Sequence, residues 1–177
     1  MADEGASPKE QLIESCRRNN PELLTTLLHH PPFHKHPKET AHFLNTTTDA
    51  LGAGALHVAA QYGSYEVLDL ILDQEGVEID GRDRREGDTC LHKAVRYCNT
   101  LSPEEWADGK MVVDILVDAG CDPRIRNKAK LRPIDLVDPR NKDVRTALQH
   151  AEMAMTAGGD VVVEDDDEPN GPGSESD

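Results

Sequence analysis

Four histidines crowd the stretch HHPPFHKHP at residues 29–37: His29, His30, His34 and His36. Imidazoles at this density invite a zinc reading, because His-rich tracts can bind metal. The spacing argues otherwise. Pro31, Pro32 and Pro37 break any helix that would set two imidazoles four residues apart on one face. No cysteine or acid stands among them at ligand spacing, so the stretch reads as a solvated loop, with no metal and no cofactor. The cysteines come next: Cys16, Cys90, Cys98 and Cys121. A catalytic thiolate needs a histidine or another positive neighbour, and a Cys–His dyad can be drawn on paper. Yet Cys90 sits in a turn ahead of an apolar run and Cys121 just precedes Asp122, positions with structural explanations. A nucleophile elbow and a phosphate-cradling glycine loop are both missing from the sequence. The chain reads as non-enzymatic.

Two further histidines belong to a different pattern. His57 lies in Leu56-His57-Val58-Ala59-Ala60, after a turn with Gly52 and before Gly63 and the apolar run Val67, Leu68, Leu70, Ile71, Leu72. Thirty-five residues on, the text returns as Gly87, Thr89, Leu91-His92-Lys93-Ala94-Val95, then Val112, Val113, Ile115, Leu116, Val117. A weaker third copy runs Pro133-Ile134-Asp135-Leu136-Val137, then Val144, Ala147, Leu148, Ala151. A turn followed by two short helices, recurring at about 33 residues, cannot bury its apolar face alone and must stack on its neighbours.

This pattern resembles the ankyrin-repeat family. The resemblance implies an all-α solenoid of about three repeats, a degenerate N-terminal capping unit and a disordered acidic C-terminal tail. His57 and His92 fall where the family carries its TPLH histidine, which implies a hydrogen-bonding role between one finger (the turn that opens each repeat) and the next. Gly52, Leu56, Ala59, Ala60 and Gly63, and in the next copy Gly87, Thr89, Leu91, Ala94 and Gly120, complete the structural motif. Small Ala59 and Ala60 let the first helix approach its partner, and Gly63 marks a reversal that favours a left-handed residue.

The implied boundaries follow. Residues 1–6 form a disordered N-terminus, 7–48 a capping unit with the His/Pro loop, and 49–82 a repeat. Residues 83–126 form a repeat with an insertion at 98–110, 127–157 a C-terminal capping repeat, and 158–177 an acidic disordered tail. Ser7-Pro8-Lys9-Glu10 should start the first helix, with Asn19 taking the place that Gly63 holds later. A second helix should begin at Pro21, and a short one should run from Pro37 to Asn45. Inside the insertion, Ser102-Pro103-Glu104-Glu105 predicts a short helix carrying Trp106, either as a lid on the repeat or as an exposed anchor for a partner. Asp138-Pro139 should end a helix of the third copy.

Composition narrows the partners. The 177 residues carry 34 acids against 19 Lys and Arg, a formal net charge of −15. Eight of the acids lie in 158–177, which has no Lys or Arg, and the rest of the chain carries the remaining −7. Phosphate binding is mostly electrostatic, so nucleic acid is a poor partner for this chain. The start, Met1-Ala2-Asp3-Glu4, is acidic where a signal peptide is basic, and no apolar run reaches membrane-spanning length. Widely spaced cysteines without a CxxC suit a reducing interior, cytoplasmic or nuclear.

Against that acidic background, the positions that the family turns toward a partner are basic and aromatic: Arg17, Arg18, Tyr62, Arg84, Arg85, Arg96, Tyr97, Lys128 and Lys130. The resemblance implies a non-catalytic protein–protein interaction module, monomeric, binding another protein through this groove, with the acidic tail as a regulator. An alternative is an escort chaperone whose tail shields a basic client such as a ribosomal or histone-like protein. The chain is similar to small fungal ankyrin proteins with acidic tails along nearly its whole length. Its Asp122–Lys128 segment also resembles an escort of a small-subunit ribosomal protein, although Lys130 stands where a glycine is usual.

Overall fold

A computed structural model describes residues 5–158. Among these residues eight α-helices follow one another: α1 (Pro8–Arg18), α2 (Pro21–Leu28), α3 (Pro37–Thr46), α4 (Ala55–Gln61), α5 (Tyr65–Leu72), α6 (Cys90–Asn99), α7 (Trp106–Asp118) and α8 (Lys142–Ala157). Short 3-10 helices at Pro103–Glu105 and Pro133–Leu136 complete the set, and the described residues form no strand beyond an isolated bridge between Thr48 and Gly54. The expected acidic tail and most of the expected disordered N-terminus lie outside the described residues.

Local chemistry sets the helix starts. The Ser7 hydroxyl accepts the Glu10 N–H at 3.2 Å, and Pro8 opens α1. Asn20 does the same for α2, accepting from Leu23 at 3.1 Å ahead of Pro21. Between these helices Asn19 is left-handed, φ 50, as is Gly63 between α4 and α5, φ 66. Asparagine adds what glycine cannot. Its Oδ1 accepts the Val67 N–H at 3.1 Å and its Nδ2 donates to Glu66 at 2.6 Å, which fastens the first helix pair to the second.

The helices stack in two layers. In one layer α4 packs between α1 and α6; in the other α5 packs between α2 and α7, and α7 meets α8. Leu12, Leu24, Leu68, Ile71, Leu91, Leu116 and Leu148 run through the whole stack as one core, and all are fully buried. Ala59 and Ala60 are fully buried on α4, where larger side chains would push the neighbours apart.

Three local expectations change. Trp106 is the first residue of the thirteen-residue α7 and does not sit on a separate short helix. The inserted residues lengthen α6 and α7 and cross over between them, with Ser102 bonded to the Glu105 carboxylate at 2.8 Å. In the third copy the first helix shrinks to the 3-10 turn Pro133–Leu136, ahead of Asp138-Pro139. Asn99 holds this turn in place, donating to Leu136 O at 2.8 Å and accepting from Asp138 N–H at 3.2 Å. The His/Pro loop is solvated at its histidines but anchored in the middle. Phe33 is buried there and stacks on Phe43 of α3, centroids 4.4 Å apart.

Candidate partner-binding surface

Each finger is built around one short polar side chain. Asp49 Oδ1 accepts the N–H groups of Leu51 and Ala53, Asp83 Oδ1 those of Glu86 and Asp88, and Asn127 Oδ1 those of Ala129 and Leu131. Such side chains bond their own backbone readily and so fix a turn. At the tips Gly52, Gly87 and Lys130 are left-handed, φ 85, 68 and 68. Lys130 therefore occupies the glycine position of the third finger with a conformation that costs a non-glycine residue about 1–2 kcal/mol.

Two histidines tie the fingers into a row. His57 Nδ1 accepts the Gly54 N–H at 3.2 Å, so its proton is on Nε2. That nitrogen donates to Gly81 O at 3.0 Å and Asp88 O at 2.9 Å, across to the second finger. His92 repeats the arrangement one unit on: Nδ1 accepts from Thr89 N–H at 3.0 Å and Nε2 donates to Leu131 O at 2.8 Å. Burial lowers the pKa of both rings and keeps them neutral.

Beneath the second finger lies a charge cluster that repeat pattern alone does not reveal. Lys93, only 7% exposed, places its ammonium 3.0 Å from Asp83, 2.9 Å from Glu86 and 3.6 Å from Asp88. The buried Asp88 carboxylate also takes Arg96 Nε at 2.7 Å and Asn127 Nδ2 at 3.0 Å. Burial alone would raise the carboxyl pKa values, but these bonds outweigh it and hold Asp83 and Asp88 below the usual range. A signal was present in the sequence: Asp83, Asp88 and Lys93 fall five residues apart across a turn into a helix.

The structure sorts the basic positions. Arg84 and Arg85 are exposed on the second finger, and Lys128, Ala129 and Lys130 on the third. The two fingers are adjacent: Lys128 N–H donates to Glu86 O at 2.9 Å, and its ammonium reaches the carbonyls of Arg84 and Arg85. Arg84 N–H in turn donates to Gly52 O at 3.2 Å on the first finger, whose tip exposes Leu51. Among the described residues no carboxylate lies within ion-pair distance of Arg84 or Arg85. Arg96 is less available, its guanidinium spent on Asp88. Tyr97 is half-buried over Gly63, where an added Cβ would come within 2.1 Å of its ring. Tyr62, at the end of α4, is 50% exposed. Arg17 and Arg18 are exposed at the end of α1, Arg18 paired with Glu14 at 2.7 Å.

The thiols are placed for packing. Burial pushes Cys16 and Cys98 up to about 12, well away from thiolate character at neutral pH. Cys90 and Cys121, distant in sequence, bring their sulfurs to 3.7 Å in the interior, and hydrogen bonding to Cys90 together with burial raises Cys121 as well. Among the described residues no group of three or more His, Cys, Asp or Glu is placed to hold a metal ion. None of the described helices is long and apolar enough to cross a membrane.

The family model described as ankyrin repeats matches residues 12–127 in three copies. The chain is an ankyrin-repeat protein. An ankyrin repeat-containing protein of Saccharomyces cerevisiae is 43% identical over 157 residues, covering 88% of this chain and 83% of its own length. More local likenesses are to the rice zinc finger CCCH domain-containing protein 24, 33% identical over 53% of this chain and 12% of that protein, and to the Xenopus laevis inhibitor of Bruton tyrosine kinase, 36% identical over 29% and 4%. Ankyrin-repeat proteins bind other proteins and in general do so without catalysis, which makes this chain a protein–protein interaction module.

Proposed function

We propose that this ankyrin-repeat protein captures an acidic surface of a partner protein along its row of basic finger tips, without catalysis. Arg84, Arg85, Lys128 and Lys130 supply the charge, and Tyr62 with Arg17 and Arg18 extends the surface along the helix ends. The observation that carries this reading is the exposure of Arg84 and Arg85, with no carboxylate among the described residues within ion-pair distance, beside a third finger bonded to their own backbone. Arginine and tyrosine are the residue types that dominate interface energetics. The tail from Gly158 onward, rich in acid, competes for the same surface in this reading, so a partner must displace it.

A second reading rests on the tail itself: eight acids without a single Lys or Arg in residues 158–177 suit an escort that shields a basic client. One experiment separates them. Capture from a fungal lysate is compared for the full chain, a version ending at Ala157 and an Arg84→Glu/Arg85→Glu variant, at low and moderate salt. Gain of salt-labile acidic proteins on truncation, lost again in the double variant, supports the finger surface. Loss of basic proteins on truncation supports the escort, and no change in any arm sinks both.

A further inference from the structure

Away from the fingers, the His/Pro loop closes a cavity of about 350 Å³. Its floor is apolar: Leu24 and Leu28 of α2, Phe33 of the loop and Leu70 of α5. Its rim is the opposite, with His29, His34, Lys35 and His36 and no carboxylate in its lining. His29 Nδ1 is bonded to Thr25 O at 2.8 Å, and His36 lies 3.9 Å from the Glu39 carboxylate just outside. Lys35 is held left-handed, φ 64, between two rim histidines. The site thus pairs room for aliphatic side chains with donors and a positive charge for carboxylates.

The chain itself carries a segment of that composition. Val161-Val162-Val163 is followed at once by Glu164-Asp165-Asp166-Asp167-Glu168. We infer that the cavity receives this segment, valines on the apolar floor and acids on the imidazole and ammonium rim, from a second copy of the chain. The same copy cannot seat all three valines there, because Val161 does not reach it. The cavity lies between α2 and α5, α7 packs between α5 and α8, and α8 ends at Ala157. Interhelical spacings of 8–10 Å put the cavity roughly 20 Å from α8. Gly158 to Val161 spans at most about 10 Å. The contact is heterologous, tail to cavity, and concentration-dependent.

The test uses full-length chains throughout. Sedimentation velocity of the wild-type chain across roughly 10–500 µM should show association that weakens with salt. Two variants should each abolish self-association: a tail variant, Val161→Ser/Val162→Ser/Val163→Ser, and a rim variant, His34→Glu/Lys35→Asp. Their helical circular dichroism and melting midpoints should match the wild type, since the rim residues are exposed. Mixed together, the two should regain a 1:1 complex, because one brings an intact cavity and the other an intact tail. A wild type that stays monomeric, an association indifferent to either variant, or a mixture that fails to pair would each overturn the proposal. Loss of the finger-surface partner in the Arg84→Glu/Arg85→Glu variant bears only on the other site.

Discussion

The Lys93 ammonium stands 3.0 Å from the Asp83 carboxylate with both side chains buried, its second and third carboxylates being Glu86 and Asp88. Removing the cation would leave two interior acids short of a partner. Breaking a buried pair in this way costs about 3–5 kcal/mol. Lys93→Met, which keeps the stem, should therefore lower the urea midpoint sharply, whereas Lys110→Met, whose pair with Asp114 is partly exposed, should cost under about 1 kcal/mol. Equal small losses in both variants would show that the cluster contributes little.

Acid should unfold the protein in two stages. His57 and His92 are held neutral, with pKa values below the ordinary imidazole value. The unfolded chain therefore takes up protons first, and the stability that these rings contribute is complete above about pH 6.5 and lost as pH falls through their folded values. Asp83 and Asp88, also depressed, act below about pH 4 by the same sign. Melting midpoints between pH 8 and pH 5 should fall, and His92→Phe, which leaves Leu131 O without its donor, should start lower and show a flatter slope.

Gly63→Ala should be costly for two reasons that can be separated. The position is left-handed, φ 66, and a Cβ there would meet the Tyr97 ring at 2.1 Å. Strain accounts for about 1–2 kcal/mol and overpacking for about 1–3 kcal/mol. Tyr97→Ala in the same chain should recover the second part and leave the first, as a double-mutant cycle by denaturant unfolding would read.

Lys130→Gly should stabilise the third finger. Glycine removes the left-handed strain but adds freedom to the unfolded chain, worth about 0.4–1 kcal/mol in the other direction. A net gain of about 0.5–1 kcal/mol is expected by thermal and urea unfolding. A loss would mean that packing of the lysine stem matters more than its φ, since glycine keeps the backbone carbonyl that accepts from Arg126 at 2.9 Å.

The repeat was legible wherever one residue type has one job. Gly63, its substitute Asn19 and the two bridging histidines recur because a reversal and an interfinger bond need those side chains in each unit. Apart from those histidine bonds, contacts between units were not legible. Nothing in the spacing brings Cys90 and Cys121 within 3.7 Å, since that distance is set by stacking. Spacing alone does not assign Arg96 to Asp88, which lies eight residues back across a turn and accepts from its Nε at 2.7 Å. Phe33 was masked by its polar neighbours in a stretch with no period at all. The third copy kept its apolar residues but its first helix shrank, with Pro133 and Pro139 leaving room for a single 3-10 turn between them.

Asp49, Asp83 and Asn127 each hold two backbone N–H groups of their own finger. These loops have thus given up their conformational entropy during folding, before any encounter. If the partner docks on the fingers as proposed, it meets a rigid comb of tips, and recognition proceeds with little ordering left to do. The kinetic signature is association limited by diffusion and charge steering, insensitive to loop dynamics and sensitive to salt. On that proposal Asp49→Ala should slow binding by returning to the first finger the freedom that its neighbours have lost.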